Sequence, residues 1–133
     1  MFGAPTRFAG PVANGIGAHY RELDIAARVE GASPHGLIQI MLDEALKAID
    51  TLRAIDRAGG HLPGVQSRTL SILHGLEAGL DFEKGGEIAR SLATIYREAR
   101  RLIGQPQGPA RGPGLEQART MLAEIAAAWS AIG

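Results

Sequence analysis

Cysteine is absent from this 133-residue chain, and neither sign of charge is in excess. The lack of cysteine excludes disulfide frameworks, zinc–thiolate sites and thiol nucleophiles, and it agrees with a reducing cytoplasm. The 14 Lys and Arg side chains balance the 14 Asp and Glu side chains, so no net field favours nucleic acid or an anionic membrane. No segment approaches the roughly 20 apolar residues of a membrane span, and the first residues lack a signal peptide's apolar stretch. We therefore expect a cytoplasmic protein with no nucleic-acid partner and no membrane insertion.

Residue groupings that carry catalysis or hold metal ions are also scarce. The four histidines lie in different predicted elements, without the spacing of metal ligands. Asp43 and Glu44 are adjacent and point about 100° apart on a helix, unlike a facing pair of catalytic carboxylates. No glycine belongs to a phosphate-binding motif. We expect no enzymatic activity, no cofactor and no metal site.

One histidine leaves an alternative open, because a helical bundle with an exposed histidine resembles a phosphotransfer domain. Such domains place a lysine three residues after the histidine, whereas this chain has Glu77 three residues after His74. A carboxylate at that position would repel a phosphoryl group. Phosphotransfer is therefore the least favoured alternative.

Glycine and proline divide the chain into a flexible arm and five helices. Residues 1–15 are rich in both and have too few large apolar groups for a core, so they predict a flexible arm. A short helix is expected from about Ile16 to Val29, and Gly31 ends it. Ser33-Pro34 marks the start of the next helix, because the serine hydroxyl can cap the first turn and proline is favoured at the first helical position. That helix is expected over about 34–58 and is followed by another over about 65–80.

The later helices complete the predicted fold. One follows a cap at Asp81 and ends near Ile103, and the last begins near Leu115, after an irregular Gly/Pro-rich loop over 104–114. No segment has the alternation of a strand. The sequence predicts an all-α protein: an antiparallel four-helix bundle in one domain over 16–133, with an additional short N-terminal helix and a flexible N-terminal arm.

The helix over about 34–58 has an unusually wide apolar face. A bundle helix needs about three apolar positions in seven, yet here two neighbouring stripes are apolar. One stripe contains Leu37, Met41, Ala45, Ala48, Leu52 and Ile55, and the other contains Ile38, Leu42, Leu46 and Ile49. The second stripe either packs within the chain, under the first helix, or remains available to a partner.

The last two helices have apolar seams at spacings of three and four residues. In the helix that ends near Ile103, the residues expected to face inward are Ile88, Leu92, Ile95, Ala99 and Leu102, with Tyr96 beside them. In the last helix they are Leu115, Ala118, Leu122, Ile125, Trp129 and Ile132. Such seams are typical of long antiparallel bundles.

The segment from Leu80 to Tyr96 has a residue order too particular for a generic hairpin. It reads LDFEKGGEIARSLATIY, and we expect its double glycine and Asp81 to turn the chain between two helices. This order resembles the signature of the flagellin export chaperone family, FliS. The matching positions are Leu80-Asp81, Gly85-Gly86, Leu92 and Tyr96.

Two further segments carry the same resemblance, in the right order along the chain. Tyr20 precedes Ser33-Pro34 and Leu37-Ile38, where the family has a tyrosine, a Ser-Pro or Thr-Pro helix start and an apolar pair. The final helix ends in Ala128-Trp129, as in the family. One stretch departs: where FliS proteins typically read Leu-Tyr-Asp-Gly-Ala, this chain has Leu42 and Glu44 in place of the tyrosine and the glycine.

The resemblance implies a non-catalytic cytoplasmic chaperone. Such a protein binds the disordered C-terminal segment of flagellin, prevents its premature polymerisation and escorts it to the flagellar type III export gate. An amphipathic flagellin helix would pack in a groove on the wide apolar face. The residues we expect to contact flagellin are Tyr20, Ile38, Leu42, Leu46, Leu76, Leu92 and Tyr96.

Two other uses of apolar surface remain open at this point. The second stripe of the helix over 34–58 would also serve as the seam of a weak homodimer or of a self-associating structural bundle. The arm, with Phe2 and Phe8, or the helix that contains Tyr20 would fold over an empty groove and shield it until flagellin binds. Deleting residues 1–15 should then raise the association rate with flagellin.

Overall fold

A computed structural model describes residues 25–132 of the chain. A first helical segment over 25–30 (α1) precedes α2 (Pro34–Arg57), α3 (Pro63–Ala78), α4 (Phe82–Ile103) and α5 (Arg111–Ile132). The described residues contain no strand, which confirms the all-α class. The predicted arm over 1–15, and the predicted start of the first helix at Ile16, lie outside them.

The described residues fall into two compact units, with the division between Ile40 and Met41. In the first unit, the N–H of Gly31 donates to the carbonyl of Ala27 at 3.3 Å as α1 ends. The N–H of Gly36 donates to Oγ of Ser33 at 3.1 Å, and Pro34 is the first residue of α2. The predicted start of this helix is therefore confirmed. Serine caps the first turn, and proline is tolerated at the first position because an N–H there would have no partner within the helix.

In the second unit, α4 packs antiparallel against both α3 and α5. Gln66 of α3 donates from Nε2 to the carbonyl of Ile103 at 2.9 Å near one end of α4. Toward the other end, Nε of Arg97 donates to Oε2 of Glu77 at 2.6 Å. On the α5 side, a Cβ placed on Gly114 would lie 3.4 Å from the carbonyl oxygen of Leu102, so these two backbones come close.

Ion pairs connect the second-unit part of α2 to α5 and to α3. Nε of Arg119 on α5 lies 3.0 Å from Oδ1 of Asp50, and this bond lowers the pKa of the Asp50 carboxyl. A guanidinium nitrogen of Arg68 on α3 lies 3.6 Å from Oε1 of Glu44. Consecutive helices therefore run antiparallel, and α5 returns to α2, which is the predicted four-helix bundle.

The core of the bundle combines large aliphatic side chains from all four helices with several small ones, of which α4 contributes three. Alanines at 89, 93 and 99 give α4 little volume, so neighbouring backbones can approach it, and Tyr96 is its one large aromatic core side chain. The buried apolar side chains of residues 41–132 are Leu42, Ala45, Ile49, Leu52, Leu73, Leu76, Ala89, Ala93, Tyr96, Ala99, Leu102, Ile103, Leu115, Ala118, Leu122 and Ala126.

The predicted inward face of α4 is wrong in its first half. Ile88 is 72% exposed, while its neighbour Ala89 is 3% exposed. The buried line of α4 includes Ala89, Ala93 and Tyr96, about one residue, or 100°, away from the predicted line. Periodicity favours the stripe with the larger side chains, but close helix packing places the alanines inside. At the end of α5, Ile132 is likewise wrongly predicted to face inward, because it is 74% exposed.

The double glycine does not turn the chain between α3 and α4, so that prediction is also wrong. α3 ends at Ala78, and the turn consists of residues 79–81. The N–H of Lys84 donates to Oδ1 of Asp81 at 2.9 Å, which confirms the predicted cap. Gly86 instead kinks α4 after its first turn, with φ 50° and ψ −126°, in a region that favours glycine.

The Gly/Pro-rich segment before α5 forms a shorter loop than predicted. α5 begins at Arg111, so Gly112, Pro113 and Gly114 belong to its first turn. Proline is tolerated there because the first N–H groups of a helix have no partner within the helix. Arg111 is 4% exposed, and its Nη1 donates to the carbonyl of Gln105 at 3.0 Å, which ties the start of α5 to the loop.

Candidate binding surface

The structure places three of the residues predicted to bind a partner in the core. Leu42 is 0% exposed, Leu76 is 1% exposed and Tyr96 is 2% exposed. Their immediate neighbours show that they share one level of the bundle: Met41 approaches the Cβ position of Gly75 to 3.1 Å, and Glu77 pairs with Arg97. We call Leu42, Leu76 and Tyr96 the buried layer.

Burial gives these three residues a role in packing. It also raises the pKa of the Tyr96 hydroxyl, because ionisation would place a charge among apolar side chains. None of the three is presented to a partner in this conformation. Their predicted contact with a partner therefore stays a prediction, and it requires either movement or an indirect effect on the surface above them.

The other predicted residues lie at three kinds of position. Leu46 and Leu92 are half-buried on the flanks of α2 and α4. Leu46 lies one turn before Asp50, the residue that pairs with Arg119 of α5. Ile38 is half-buried in the first unit. Tyr20 lies outside the described residues.

A different apolar surface runs along the outer side of α4 and α5. Leu102 of α4 and Gly114 of α5 lie at the same level of the bundle, because their backbones come close. Since the two helices run antiparallel, Ile88, fourteen residues before Leu102, lies level with Ala128, fourteen residues after Gly114. Ile88 and Ile132 therefore lie about one turn apart at the same end of the bundle. The surface, which we call the apolar strip, consists of Ile88, Leu92, Ile95, Met121, Ile125 and Ile132.

The end of the apolar strip that contains Ile88 and Ile132 is its most exposed part. Ile88 and Ile132 are both more than 70% exposed, whereas Leu92, Ile95, Met121 and Ile125 are half-buried. Phe82, 44% exposed, begins α4 at the same end, before the kink at Gly86. A single exposed aliphatic side chain is common on protein surfaces and needs no explanation. Two of them on adjacent helices form an apolar patch, and such patches mark interaction sites.

Charged side chains of α4 border the strip, and none of its six positions is charged. On α4, Glu87 pairs with Arg90, and Oε2 of Glu98 lies 2.6 Å from a guanidinium nitrogen of Arg101. The Arg101 guanidinium lowers the pKa of the Glu98 carboxyl. An apolar centre with a charged border is the usual organisation of a protein-binding surface.

A second group of ion pairs joins α3 to α4 beside the buried layer. Glu77 forms an ion pair with Arg97, and its Oε1 lies 2.5 Å from Nη1 of Arg100. Arg100, then Arg97, hold the pKa of the Glu77 carboxyl below its usual value. The side chain of Glu77 is 16% exposed, so this pairing closes the edge of the core and offers no free group for chemistry.

Neither a metal centre nor a membrane span is visible in the described part of the chain. Over residues 25–132, no three His, Asp or Glu side chains come together in a way that could hold a metal ion. Among the same residues, no helix has both the length and the apolarity to cross a bilayer.

Comparison with known proteins identifies the family of this helical bundle. The family model described as flagellar protein FliS matches residues 16–133. The chain belongs to the FliS family. It is 35% identical over 123 residues to the flagellar secretion chaperone FliS of Salmonella typhimurium, with 90% of each chain covered.

Two other FliS relatives are similar over most of their length. Identity to the flagellar secretion chaperone FliSB of Pseudomonas aeruginosa is 28%, covering 85% of this chain and 91% of the relative. Identity to the flagellar secretion chaperone FliS of Vibrio cholerae is 26%, covering 85% of each chain. The family match begins at residue 16, so the FliS pattern excludes the Gly/Pro-rich residues 1–15.

The FliS family can therefore be recognised from the sequence, whereas the inward face of the first half of α4 was predicted wrongly. The segment from Leu80 to Tyr96 carries the family signature, yet within it Tyr96 is buried and Ile88 is exposed. A signal for this was present: Ala89 and Ala93 form an alternative stripe at a spacing of four. In a closely packed bundle, such a stripe of small residues competes with a bulky one for the inward position.

Proposed function

We propose that this FliS chain is a non-catalytic cytoplasmic chaperone that binds the disordered C-terminal segment of flagellin. Binding would keep flagellin from polymerising prematurely and deliver it to the flagellar type III export gate. One observation of the structure carries the proposal: the uncharged apolar strip, with Ile88 72% and Ile132 74% exposed. Family membership supplies the export context.

The strip fits the apolar face of an amphipathic helix. At about 1.5 Å per residue, the α5 side from Met121 to Ile132 is roughly 16 Å long, about three helical turns. Parallel rows on α4 and α5 form a shallow groove, and a client helix would insert side chains at every third or fourth position. The absence of charge at all six strip positions favours aliphatic client residues.

Energetics favour a client longer than the strip. Fully burying an isoleucine contributes about 1.5–3 kcal/mol, so covering the exposed parts of Ile88 and Ile132 contributes roughly 2–4 kcal/mol. Ordering a disordered segment costs about 2–5 kcal/mol or more. The two terms nearly cancel. Stable binding therefore requires additional contacts, which a long client obtains by continuing across the bundle.

The residues predicted from the sequence enter this proposal in two ways. Leu92 lies in the strip and Leu46 on the flank of α2, and we propose that both contact flagellin directly. Leu42, Leu76 and Tyr96 would act from beneath, by holding the helices that carry the surface. Tyr20 and Ile38 stay proposed contacts for the continuing client segment.

Calorimetric titration of the full chain with a C-terminal flagellin peptide tests the proposal. We expect saturable binding with a negative heat-capacity change, because apolar surface is buried. Ile88→Glu should weaken binding at least about tenfold, since a charge would enter the apolar contact.

Leu62→Glu is the matched control, because Leu62 is 52% exposed but precedes α3 at the other end of the bundle. It should leave affinity unchanged. Equal affinity of wild type and Ile88→Glu would exclude the strip as the binding surface. Complete absence of binding to wild type, together with no recovery of flagellin from lysate, would contradict the proposed function itself.

A further inference from the structure

Two glutamates lie along the α4 edge of the apolar strip. The helix is regular after its kink, so successive residues there point about 100° apart. Glu87 and Glu98 therefore point about 70–90° away from the line through Ile88 and Ile95, which places both carboxylates beside the strip. Their side chains are 86% and 38% exposed, so a docked helix can reach them.

The arginines that pair with these two glutamates lie farther from the strip. Arg90 and Arg101 each follow their partner by three residues, and they point about 130–150° away from the line through Ile88 and Ile95. Exposed pairs of this kind are weak, because water screens them and both side chains lose freedom. The carboxylates can therefore also attract a cation on the strip side.

A third glutamate, Glu124, lies along the α5 edge of the strip. It is exposed, and it points about 60° away from Met121 and about 100° away from Ile125. Within residues 25–132 it forms no hydrogen bond and no ion pair. The other charged side chains of α5 are buried or directed toward α2, and they are Arg111, Glu116 and Arg119.

The three glutamates alternate between the two edges. By the antiparallel register of the helices, Glu124 of α5 is level with Leu92 of α4. Glu87 and Glu98 lie about 8–9 Å from this level in opposite directions, at about 1.5 Å per residue. We call these three side chains the acidic rim. Along α5 and the regular part of α4, the strip is thus bordered by carboxylates on both sides and by no arginine.

We propose that the acidic rim selects a client helix that carries lysine or arginine on both flanks of its apolar face. The inference rests on the proposed function, because it concerns the same strip, and it adds a charge requirement to the apolar one. Charge complementarity around an apolar centre mainly decides which partner is accepted and how fast it associates. A helix with acidic flanks would meet like charges at all three rim positions and be rejected.

Two model peptides test the selection. Both are amphipathic helices of about three turns with the same apolar face, and they carry either lysine or glutamate at the same flanking positions. In calorimetric titration of the full chain at low ionic strength, the lysine peptide should bind at least about tenfold more tightly than the glutamate peptide. The ratio should shrink at high salt, because the rim is exposed and therefore screened.

Charge reversal at the rim should change this ratio. Glu124→Lys should lower it at least about threefold, and the triple variant Glu87→Lys, Glu98→Lys, Glu124→Lys should favour the glutamate peptide. Glu116→Lys is the matched control, because Glu116 is also an exposed glutamate of α5 but lies 3.9 Å from Arg53 of α2. It makes the same change in net charge and should leave the ratio unchanged. Circular dichroism verifies that each variant is folded.

The rim and the proposed function can fail separately. Equal affinity for the two peptides, no binding of either, or equal effects of Glu116→Lys and Glu124→Lys would overturn the rim proposal. If the flagellin peptide still binds wild type and is lost in Ile88→Glu, the strip remains the flagellin-binding surface without a charge preference. Unchanged flagellin binding in Ile88→Glu would overturn both proposals.

Discussion

The buried layer and the apolar strip are both made of large apolar side chains at helical spacing, yet their surroundings differ completely. Leu42, Leu76 and Tyr96 are enclosed by α2, α3 and α4, whereas Ile88 and Ile132 are more than 70% exposed on α4 and α5. Removing water from the first set stabilises the fold. The second set leaves apolar area in water, which a partner can cover.

This difference separates two roles that the sequence merges. The FliS signature spans both kinds of residue, since Tyr96 is inside and Ile88 outside. Substitutions in the buried layer should change the free energy of unfolding, and substitutions in the strip should change binding. Each prediction below can strengthen or contradict that division.

The largest effect is expected in the buried layer. Leu42→Ala should lower the free energy of unfolding by about 2–5 kcal/mol, because it removes a fully buried side chain and leaves a cavity. Urea unfolding followed by circular dichroism measures the change. Ile88→Ala is the comparison and should change stability by no more than about 0.5 kcal/mol. Similar losses in the two variants would abolish the distinction between layer and strip.

The kink that orients the start of α4 should be next in sensitivity. Gly86→Ala should destabilise the fold by about 1–3 kcal/mol, because φ 50° with ψ −126° is unfavourable for any side chain. Gly64→Ala, inside α3 with nothing within 4 Å of the added Cβ, should instead stabilise it by about 0.4–1 kcal/mol. If both substitutions change the free energy of unfolding in the same direction, the kink at Gly86 is contradicted.

The edge of the buried layer should respond to pH. The pKa of Glu77 is lowered by Arg100 and Arg97, so its ion pairs stabilise the fold above the unfolded pKa, near 4.5. That contribution, about 1 kcal/mol for a partly screened pair, is lost as pH falls through the lower folded pKa. Glu77→Gln should therefore be less stable than wild type at pH 7, and the difference should vanish in acid. If Glu77→Gln is less stable than wild type by the same amount at every pH, the lost stability comes from packing and not from the ion pairs.

The smallest stability change is expected from the substitution with the largest binding effect. Ile88→Glu should alter the free energy of unfolding by about 0.5 kcal/mol or less, because the side chain is already in water. Thermal unfolding in the absence of any client measures this. A loss of several kcal/mol would show that Ile88 is part of the core after all.

Much of the fold follows from local chemistry. The all-α class, the Ser33-Pro34 helix start and the Asp81 cap are confirmed because each depends on a few neighbouring residues. The position of the turn after α3 was predicted less well. Gly85 and Gly86 resemble a turn, but the chain already reverses at residues 79–81, and the glycines kink α4 instead.

Which face of a helix is buried depends on distant residues and was predicted only in part. On α4, both the Ile88 and the Ala89 stripes have helical spacing, and the choice between them is made by how closely α3 and α5 approach. On α2, Leu42 and Ile49 of the second stripe proved to be core residues, so that stripe is not the free surface. The binding residues proposed from the family pattern stay predictions for the same reason.

The most direct test of the account is calorimetric titration of a flagellin C-terminal peptide against wild type, Ile88→Glu and Leu62→Glu at one temperature. We predict that wild type and Leu62→Glu bind with the same affinity, and that Ile88→Glu, still folded, binds at least about tenfold more weakly. Equal affinity of all three proteins would contradict the claim that the apolar strip of α4 and α5 is the flagellin-binding surface.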